Sequence, residues 1–400
     1  MSLRDRAAVV GVGTTPFYKR GQSYPRTTLE MAGTAILAAL EDAGLRVEDL
    51  DGFAYYSGGY DSALLAQWLG VPEVRYSASV TGGGNGSAGS VGLAASAVAS
   101  GMAEVVVSVM SLQQWERRFG AAFAAKQGEK DTGGGAYGPK PTSERDFIAP
   151  SGLLGPGQFF ALLARRHMEQ YGTTRHHFAE VAISTRLNAV NRPTALRRDP
   201  LTEEEYFSAH MISAPLCLYD FCQESDGAVA VVTTSAERAR DLRHPPVYIT
   251  GAAMGGNGRW GQAIGWLGMD EEYFASSGHR PVARRLYEMA GLTPDDVDVA
   301  LLYDHFTPMV LMQLEDYGFC PVGESGPFVA EGNIRHAGGS IPVNTHGGNL
   351  SEAYIIGMTH VVEAVEQLRG TAVNQVADAE VALVTGGPAA LPVSSLLLRK

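Results

Sequence analysis

Ala43-Gly44-Leu45, followed by Asp49-Leu50-Asp51, returns as Ala290-Gly291-Leu292 followed by Asp296-Val297-Asp298. The first copy begins at 43 and the second at 290, a constant offset of 247 residues. Each copy is preceded by a helix-forming stretch, Thr28 to Ala43 and Arg280 to Ala290, and each stretch runs into a glycine suited to cap it. Each copy then leads into a short apolar run of strand character, and the offset carries Tyr56 onto Tyr303. A shared helix–Gly–Leu–turn–Asp–strand order at one fixed offset reads as a duplication.

The rest of each half fits the same plan. In the first, a strand over Ala7 to Val12 precedes the repeat helix. The glycine-rich turn Gly82 to Gly86 then leads into a helix over Ser87 to Ser100 and a strand over Val105 to Val109. In the second, a strand over Val247 to Thr250 precedes the helix at Arg280. The turn at Gly347-Gly348 leads into a helix over Tyr354 to Leu368, a strand over Val381 to Thr385 and a closing strand over Ser394 to Leu398. Alternating strands and helices imply an α/β fold. Two like halves imply a five-layered α-β-α-β-α arrangement, two sheets around shared central helices. The long excursion Ser111 to Arg198 begins rich in Gly, Lys and Pro and turns helical from Gly155 through Asn188, as a loop or lid insertion would. The expected organisation is an N-terminal half of residues 1–110 with 199–240, an insertion of 111–198 and a C-terminal half of 241–400.

Composition narrows the function. The chain has 400 residues, 45% of them apolar, enough for a large core. A net charge of −12 argues against general affinity for nucleic acid. Lys126, Lys130 and Lys140, with Arg197-Arg198, are basic groups that would meet the phosphates of a nucleotide if they are not simply solvated surface. Cys217, Cys222 and Cys320 have neither metal-ligand spacing nor a paired framework, so a reducing cytoplasm is expected. Arg4-Asp5-Arg6 is not followed by a signal-peptide core. The most apolar stretch, Gly92 to Met110, is interrupted by Gly101 and Glu104 and reads as helix then strand, so no membrane span is expected.

Three stretches concentrate reactive residue types: Thr81-Gly82-Gly83-Gly84-Asn85-Gly86-Ser87, Tyr303-Asp304-His305-Phe306, and His346-Gly347-Gly348-Asn349-Leu350-Ser351-Glu352-Ala353-Tyr354. With Glu224-Ser225-Asp226-Gly227-Ala228 and Asn344-Thr345-His346-Gly347-Gly348, they give the chain a pattern that resembles the thiolase superfamily over essentially its whole length. It is most similar to the sterol-carrier-protein-type, or lipid-transfer-protein, branch. The departures carry the meaning. Gly83 falls where that family has its reactive cysteine, Tyr354 where it has a histidine, and Val384-Thr385-Gly386-Gly387-Pro388 where it has a second cysteine.

This set of losses resembles the steroid side-chain-cleaving aldolases of actinobacteria, thiolase relatives with two tyrosines in these places. The resemblance implies a thiolase fold of duplicated βαβαβαββ halves and a retro-aldol carbon–carbon lyase. Its substrate would be a β-hydroxyacyl-CoA, a 17-hydroxy steroid side-chain thioester, split to a ketone and propionyl-CoA without a cysteine nucleophile. It implies no metal and no cofactor beyond the coenzyme A that the substrate carries. It also implies a homodimeric core and an OB-fold, zinc-ribbon-type partner protein associated with an acyl-CoA hydratase.

The chemistry is coherent without the family. A retro-aldol step needs a base for the β-hydroxyl proton, donors around the thioester oxygen and an acid for the enolate carbon. A phenol, with an unperturbed pKa of about 10, matches an alkoxide-forming transfer better than a carboxylate does. Tyr303 and Tyr354 are the candidates, with Asp304, His305 and His346 as polar neighbours. Backbone around Gly83, Gly84, Gly347 and Gly348, and the N-terminus of the helix after Gly86, would supply donors or a close approach to ligand. The plainer readings stand beside these. A tyrosine at a strand end or helix start packs, His346 holds a turn, His305 lies under the sheet, and Asp304 bonds backbone N–H groups. Ser87 lacks a Ser–His–acid setting, and Cys222 reads as a buried thiol away from the glycine turn. The competing functions are a thiolase or acyltransferase working through Cys222 or Ser87, and a non-catalytic lipid-binding scaffold. Phe159, Phe160, Leu162 and Leu163 give the insertion an apolar face, for a bulky acyl chain or for packing on the core.

Overall fold

The computed structural model describes residues 3–56, 60–80, 84–114, 149–153, 155–256, 275–387 and 392–400. The repeat builds the same unit twice. In helix α1 (Thr28–Ala43) the Thr27 hydroxyl accepts the Glu30 N–H, the Glu30 carboxylate accepts the Thr27 N–H at 2.7 Å, and Gly44 closes the helix at φ 73°. Its counterpart over Arg280–Ala290 closes on Gly291 at φ 64°. The repeated aspartates then do one job. Asp51 accepts the backbone N–H groups of Glu104 and Val105 at 2.9 and 2.8 Å, and Asp298 accepts those of Glu380 and Val381 at 2.8 and 2.9 Å. Each carboxylate therefore pins the start of the strand that pairs beside its own.

Among the described residues twelve strands follow in chain order. The first half contributes β1 (Ala7–Thr14), β2 (Tyr18–Lys19), β3 (Gly52–Tyr56), β4 (Tyr76–Val80) and β5 (Val105–Leu112). After a small hairpin of β6 (Met211–Ser213) and β7 (Leu216–Cys217) comes β8 (Ser225–Ser235). The second half contributes β9 (Val247–Gly255), β10 (Val299–Leu301), β11 (Val381–Gly386) and β12 (Val393–Arg399). The first half orders them β4-β3-β5-β8-β1, the second β10-β11-β12-β9. Directions match throughout: β3 is parallel to β5 as β10 is to β11, while β8 and β12 are antiparallel to both of their neighbours. The counterpart of β4 is reduced to a parallel bridge between Ala300 and Val343. The two sheets, expected to be separate, are joined along β1 and β9 through the pairs Ala8↔Tyr248 and Val9↔Val247. Hydrogen bonding thus makes them one ten-stranded mixed sheet.

The layers follow from where the apolar residues lie. On one outer face α1, with α2 (Ser62–Leu69) beside it, covers the first sheet through Ile36, Leu40 and Leu65. Helices α3 (Gly86–Ala99) and, later in the chain, Met358–Arg369 lie between the sheets. Val91, Val361 and Val365 share one buried cluster with Val106 and Val229 of one sheet and Val384 and Leu396 of the other. The small residues of α3 permit this: a Cβ on Gly92 would stand 3.3 Å from the Ala252 Cβ. The far face is covered by α4 (Pro156–Tyr171), α5 (Arg175–Val190), α6 (Arg280–Ala290) and α7 (Thr307–Asp316).

Two local expectations are corrected. The central helix α8 (Met358–Arg369) does not start at Tyr354, because Ile356 and Gly357 adopt φ of 53° and 75°, and Gly348–Glu352 forms a π-helical turn instead. The helical run from Gly155 breaks at Gly172, φ 73°. Phe159, Phe160 and Leu163 are buried, and Phe160 stacks on Phe306 at 4.6 Å, so that face packs on the core; Leu162 alone of the four is exposed. Among the described residues no helix is long and apolar enough to cross a membrane.

Candidate active site

Tyr303 follows β10 by two residues and is clamped by its backbone. Its N–H donates to Thr385 Oγ1 at 2.8 Å and its carbonyl accepts Gln313 Nε2 at 2.9 Å. Thr385 Oγ1 donates to Gln313 Oε1 at 2.6 Å, so β11 and α7 hold the position together. Tyr354 lies in the extended link between the π-turn and α8. Its N–H donates to Ser225 Oγ at 2.8 Å, and Ser225 Oγ donates to its carbonyl at 3.1 Å. The two hydroxyl oxygens stand 3.0 Å apart, with rings 6.5 Å centre to centre and inclined at 68°. Tyr303 is buried and Tyr354 half-buried.

Burial pushes both phenols above their ordinary range, and Tyr354 further opposes charge on Tyr303. Their shared hydrogen bond acts in opposite senses, keeping the proton on Tyr303 and favouring charge on Tyr354. The structure allows either hydroxyl to donate in this bond; with Tyr303 as the donor, Tyr354 is the phenol that bears charge more readily.

Glycines make room for the pair. A Cβ on Gly84 would overlap the Tyr303 ring and hydroxyl, and one on Gly357 would stand 2.7 Å from Tyr303 Cδ2. Gly83 lies outside the described residues. Ser87 is buried, and its hydroxyl donates to the Gly84 carbonyl at 3.0 Å.

Asp304 and the Gly347-Gly348 turn form a structural unit beside the pair. The buried Asp304 carboxylate accepts Asn349 N–H at 2.8 Å and Leu350 N–H at 3.3 Å. His360 Nε2 lies 3.1 Å from Asp304 Oδ1 and 3.0 Å from the Leu302 carbonyl, two acceptors that place its proton on Nε2. Gly348 seats directly on the carboxylate, where a Cβ would overlap it. The Gly347 N–H already donates to the Asn344 carbonyl at 2.8 Å, and Gly347 packs on Ala189.

Two expected histidines are held neutral. His346 is fully buried, edge-on to His360 at 4.8 Å; burial, with His360 and Arg192 nearby, drives its pKa far below the ordinary value. His305 lies 4.9 Å from the Tyr303 ring and 4.4 Å from Phe160, and burial pushes it down to about 3.

Cys222, expected away from the site, lies within electrostatic reach of both phenols. Its N–H donates to the His305 carbonyl at 3.0 Å, and burial pushes its thiol above the ordinary range, so it is not a thiolate. Arg197 and Arg198 are exposed, and Arg197 Nε donates to Gln223 Oε1 at 3.2 Å, one residue from Cys222. Lys126, Lys130 and Lys140 lie outside the described residues. Sequence reading missed His360 and Gln313, which carry no motif, and gave Thr385 no role of its own within the Val384–Pro388 stretch. It also left Tyr56 unused, although the repeat had placed it. Among the described residues no cluster of His, Cys, Asp and Glu is arranged to hold a metal.

The geometry has close relatives. Residues 267–397 match the thiolase C-terminal domain-like family. The chain is 41% identical over 399 residues to the steroid side-chain-cleaving aldolase of Thermomonospora curvata, covering 99% of this chain and 98% of that one. It is 40% identical over 408 residues to the 17-hydroxy-3-oxo-4-pregnene-20-carboxyl-CoA lyase of Mycobacterium tuberculosis, covering 99% and 100%. The solved Ltp2-ChsH2(DUF35) aldolase superposes with a TM-score of 0.88 at 40% identity, over 100% of this chain and 99% of that one.

Proposed function

The chain belongs to the thiolase superfamily and, within it, to the carbon–carbon lyases that cleave steroid side chains; on that footing we propose that the Tyr303–Tyr354 pair performs the retro-aldol step. The substrate is a β-hydroxyacyl-CoA, the thioester of a 17-hydroxy steroid side chain, and the products are a ketone and propionyl-CoA. The observation that carries the assignment of the pair is the 3.0 Å separation of the two hydroxyls. Tyr354, the phenol that bears charge more readily, takes the β-hydroxyl proton. The Cα–Cβ bond breaks, the ketone forms, and the bonding electrons pass to Cα as the thioester enolate. The Tyr303 proton goes to that carbon, and the proton on Tyr354 crosses the shared hydrogen bond to restore the pair. Asp304, with His360, fixes the turn that leads to Tyr354; His305 packs against the Tyr303 ring and His346 against His360.

The relative solved as the Ltp2-ChsH2(DUF35) aldolase supports a DUF35 partner. An OB-fold, zinc-ribbon-type build for that partner is part of the proposal. A homodimer through the edge strand β4, whose first four residues alternate between half-buried and exposed, completes the proposed assembly. The proposed division remains 1–110 with 199–240, 111–198, and 241–400. A cytoplasmic setting suits three cysteines that are all free. Acyl transfer is the weaker reading, since Ser87 spends its hydroxyl on Gly84 and Cys222 is a protonated thiol.

The deciding experiment incubates the chain, co-expressed with a DUF35-type partner, with the 17-hydroxy steroid CoA thioester and analyses the products by mass spectrometry. A ketone and propionyl-CoA in equal amounts support the reading. Thiolysis products, or no turnover by a folded complex, overturn it.

A further inference from the structure

The duplication that builds the fold places one more phenol at the site. Tyr56 is the last residue of β3 and Tyr303 follows β10, and these strands hold the same position in their two halves. Each pairs in parallel with its neighbours on both sides, β3 with β5 and β4, and β10 with β11 and the Val343 bridge. The two tyrosines also flank one stretch of backbone. Gly84 has no room for a Cβ because of the Tyr303 ring, and a Cβ on Gly86 would stand 3.0 Å from Tyr56 Cδ2. Gly84-Asn85-Gly86, the entry to α3, is thus packed between two phenol rings. Tyr56 is half-buried at the end of β3. It is close enough to oppose charge on both Tyr303 and Tyr354, and burial pushes its own pKa up, so it stands as a neutral donor.

The proposed reaction needs such a donor. Charge develops on the thioester oxygen as the Cα–Cβ bond breaks, and at the second glycine turn the Gly347 N–H is engaged by Asn344 and Gly348 seats against Asp304. We propose that Tyr56 is a third functional phenol, donating its hydroxyl hydrogen to the thioester oxygen as that oxygen becomes an enolate. It is a catalytic residue with a role separate from the proton-transferring pair, and this rests on the lyase reading above. The Tyr56 hydrogen bond shortens and strengthens but its proton stays on the phenol, so the balance of the reaction is unchanged.

The test separates enolate stabilisation from bond cleavage. Propionyl-CoA in D2O, with the enzyme–partner complex and no ketone, exchanges its α-proton only through the enolate, and mass spectrometry follows the label. Tyr56→Phe, which keeps the ring, is expected to slow both exchange and steroid cleavage by about 10²–10³-fold, the scale for losing one oxyanion donor. KM and the pH at which the rate rises are expected to stay in place, because Tyr56 does not titrate in the cycle. Tyr56→3-fluorotyrosine, which retains shape and donor, is expected to keep the wild-type rate, and this outcome rules out a packing effect. Exchange by Tyr56→Phe within about twofold of wild type, far inside the donor scale, overturns the proposal. So does a slow variant whose pH limb has moved, since that marks a proton-transfer group. A wild-type complex that neither exchanges nor cleaves overturns the lyase reading itself, an outcome distinct from either.

Discussion

The hydroxyl of Tyr303 stands 3.0 Å from that of Tyr354, although 51 residues separate them in the chain. Neither side chain places itself. Tyr303 is fixed through Thr385 and Gln313, Tyr354 through Ser225, and the three supports come from three different elements. A pair of phenols held at hydrogen-bond distance shares a proton, so the two are not equivalent: one donates and the other is readied to accept charge.

That inequality gives the first prediction. Tyr303→Phe and Tyr354→Phe each remove one proton-transfer group, so each lowers kcat by about 10²-fold or more while leaving thioester binding nearly unchanged. Their pH behaviour differs. Tyr303→Phe deprives Tyr354 of the donor that favours its charge, which moves the alkaline rise of kcat/KM to higher pH. Tyr354→Phe abolishes that rise. Steady-state rates across pH check both, and near-normal kcat in both variants would return the tyrosines to a packing role.

How much of this the chain announced depends on the kind of signal. The repeat at Gly44 and Gly291 announced the duplicated α/β plan because capping glycines, strap aspartates and strand starts are local features at fixed spacing. The seam between β1 and β9 was not legible, since pairing between halves leaves no periodic trace. Asp304 was read as a backbone acceptor and is one. His360 was not read at all, because a histidine inside a helix pattern gains its meaning only when the fold carries it to Asp304. The start of α8 was misplaced by four residues because Ile356, a β-branched residue, adopts φ 53°, which no local propensity signals.

The second prediction concerns Gly84. Its missing Cβ is the space that the Tyr303 ring occupies. Gly84→Ala forces either the turn or the ring aside, so kcat falls about as far as in Tyr303→Phe. The stability cost is expected to be of order 1–3 kcal/mol, as for other overpacked sites. Thermal unfolding and turnover measured on the same preparation check it. A fully active alanine variant would mean that the ring position is irrelevant to the chemistry.

Cys222 supplies the third. Its thiol is near both phenols, and burial keeps it protonated. Cys222→Ala therefore retains cleavage within a few-fold, and mass spectrometry of the denatured wild-type enzyme during turnover detects no acyl adduct on this residue. Loss of activity in the folded variant, with such an adduct in the wild type, would restore an acyl-cysteine route.

The fourth lies behind the turn, where Glu363 shares Arg192 with Glu352 and Glu366. Burial lifts the Glu363 carboxyl to about 7 against the pull of Arg192, with Glu366 adding to the rise and hydrogen bonds from Thr345 and Gln367 opposing it. The folded state therefore binds a proton here that the unfolded chain, with a carboxyl near 4.3, has already released. The associated stability is fully present below the unfolded pKa and declines as pH rises toward 7. Glu363→Gln keeps a neutral group of the same shape and removes this decline. The difference in melting temperature, variant minus wild type, should thus become more positive between pH 5 and pH 8. Within that window the slope is at most about 1.4 kcal/mol per pH unit. A difference that stays constant across the window would show that Glu363 is already ionised in the folded protein.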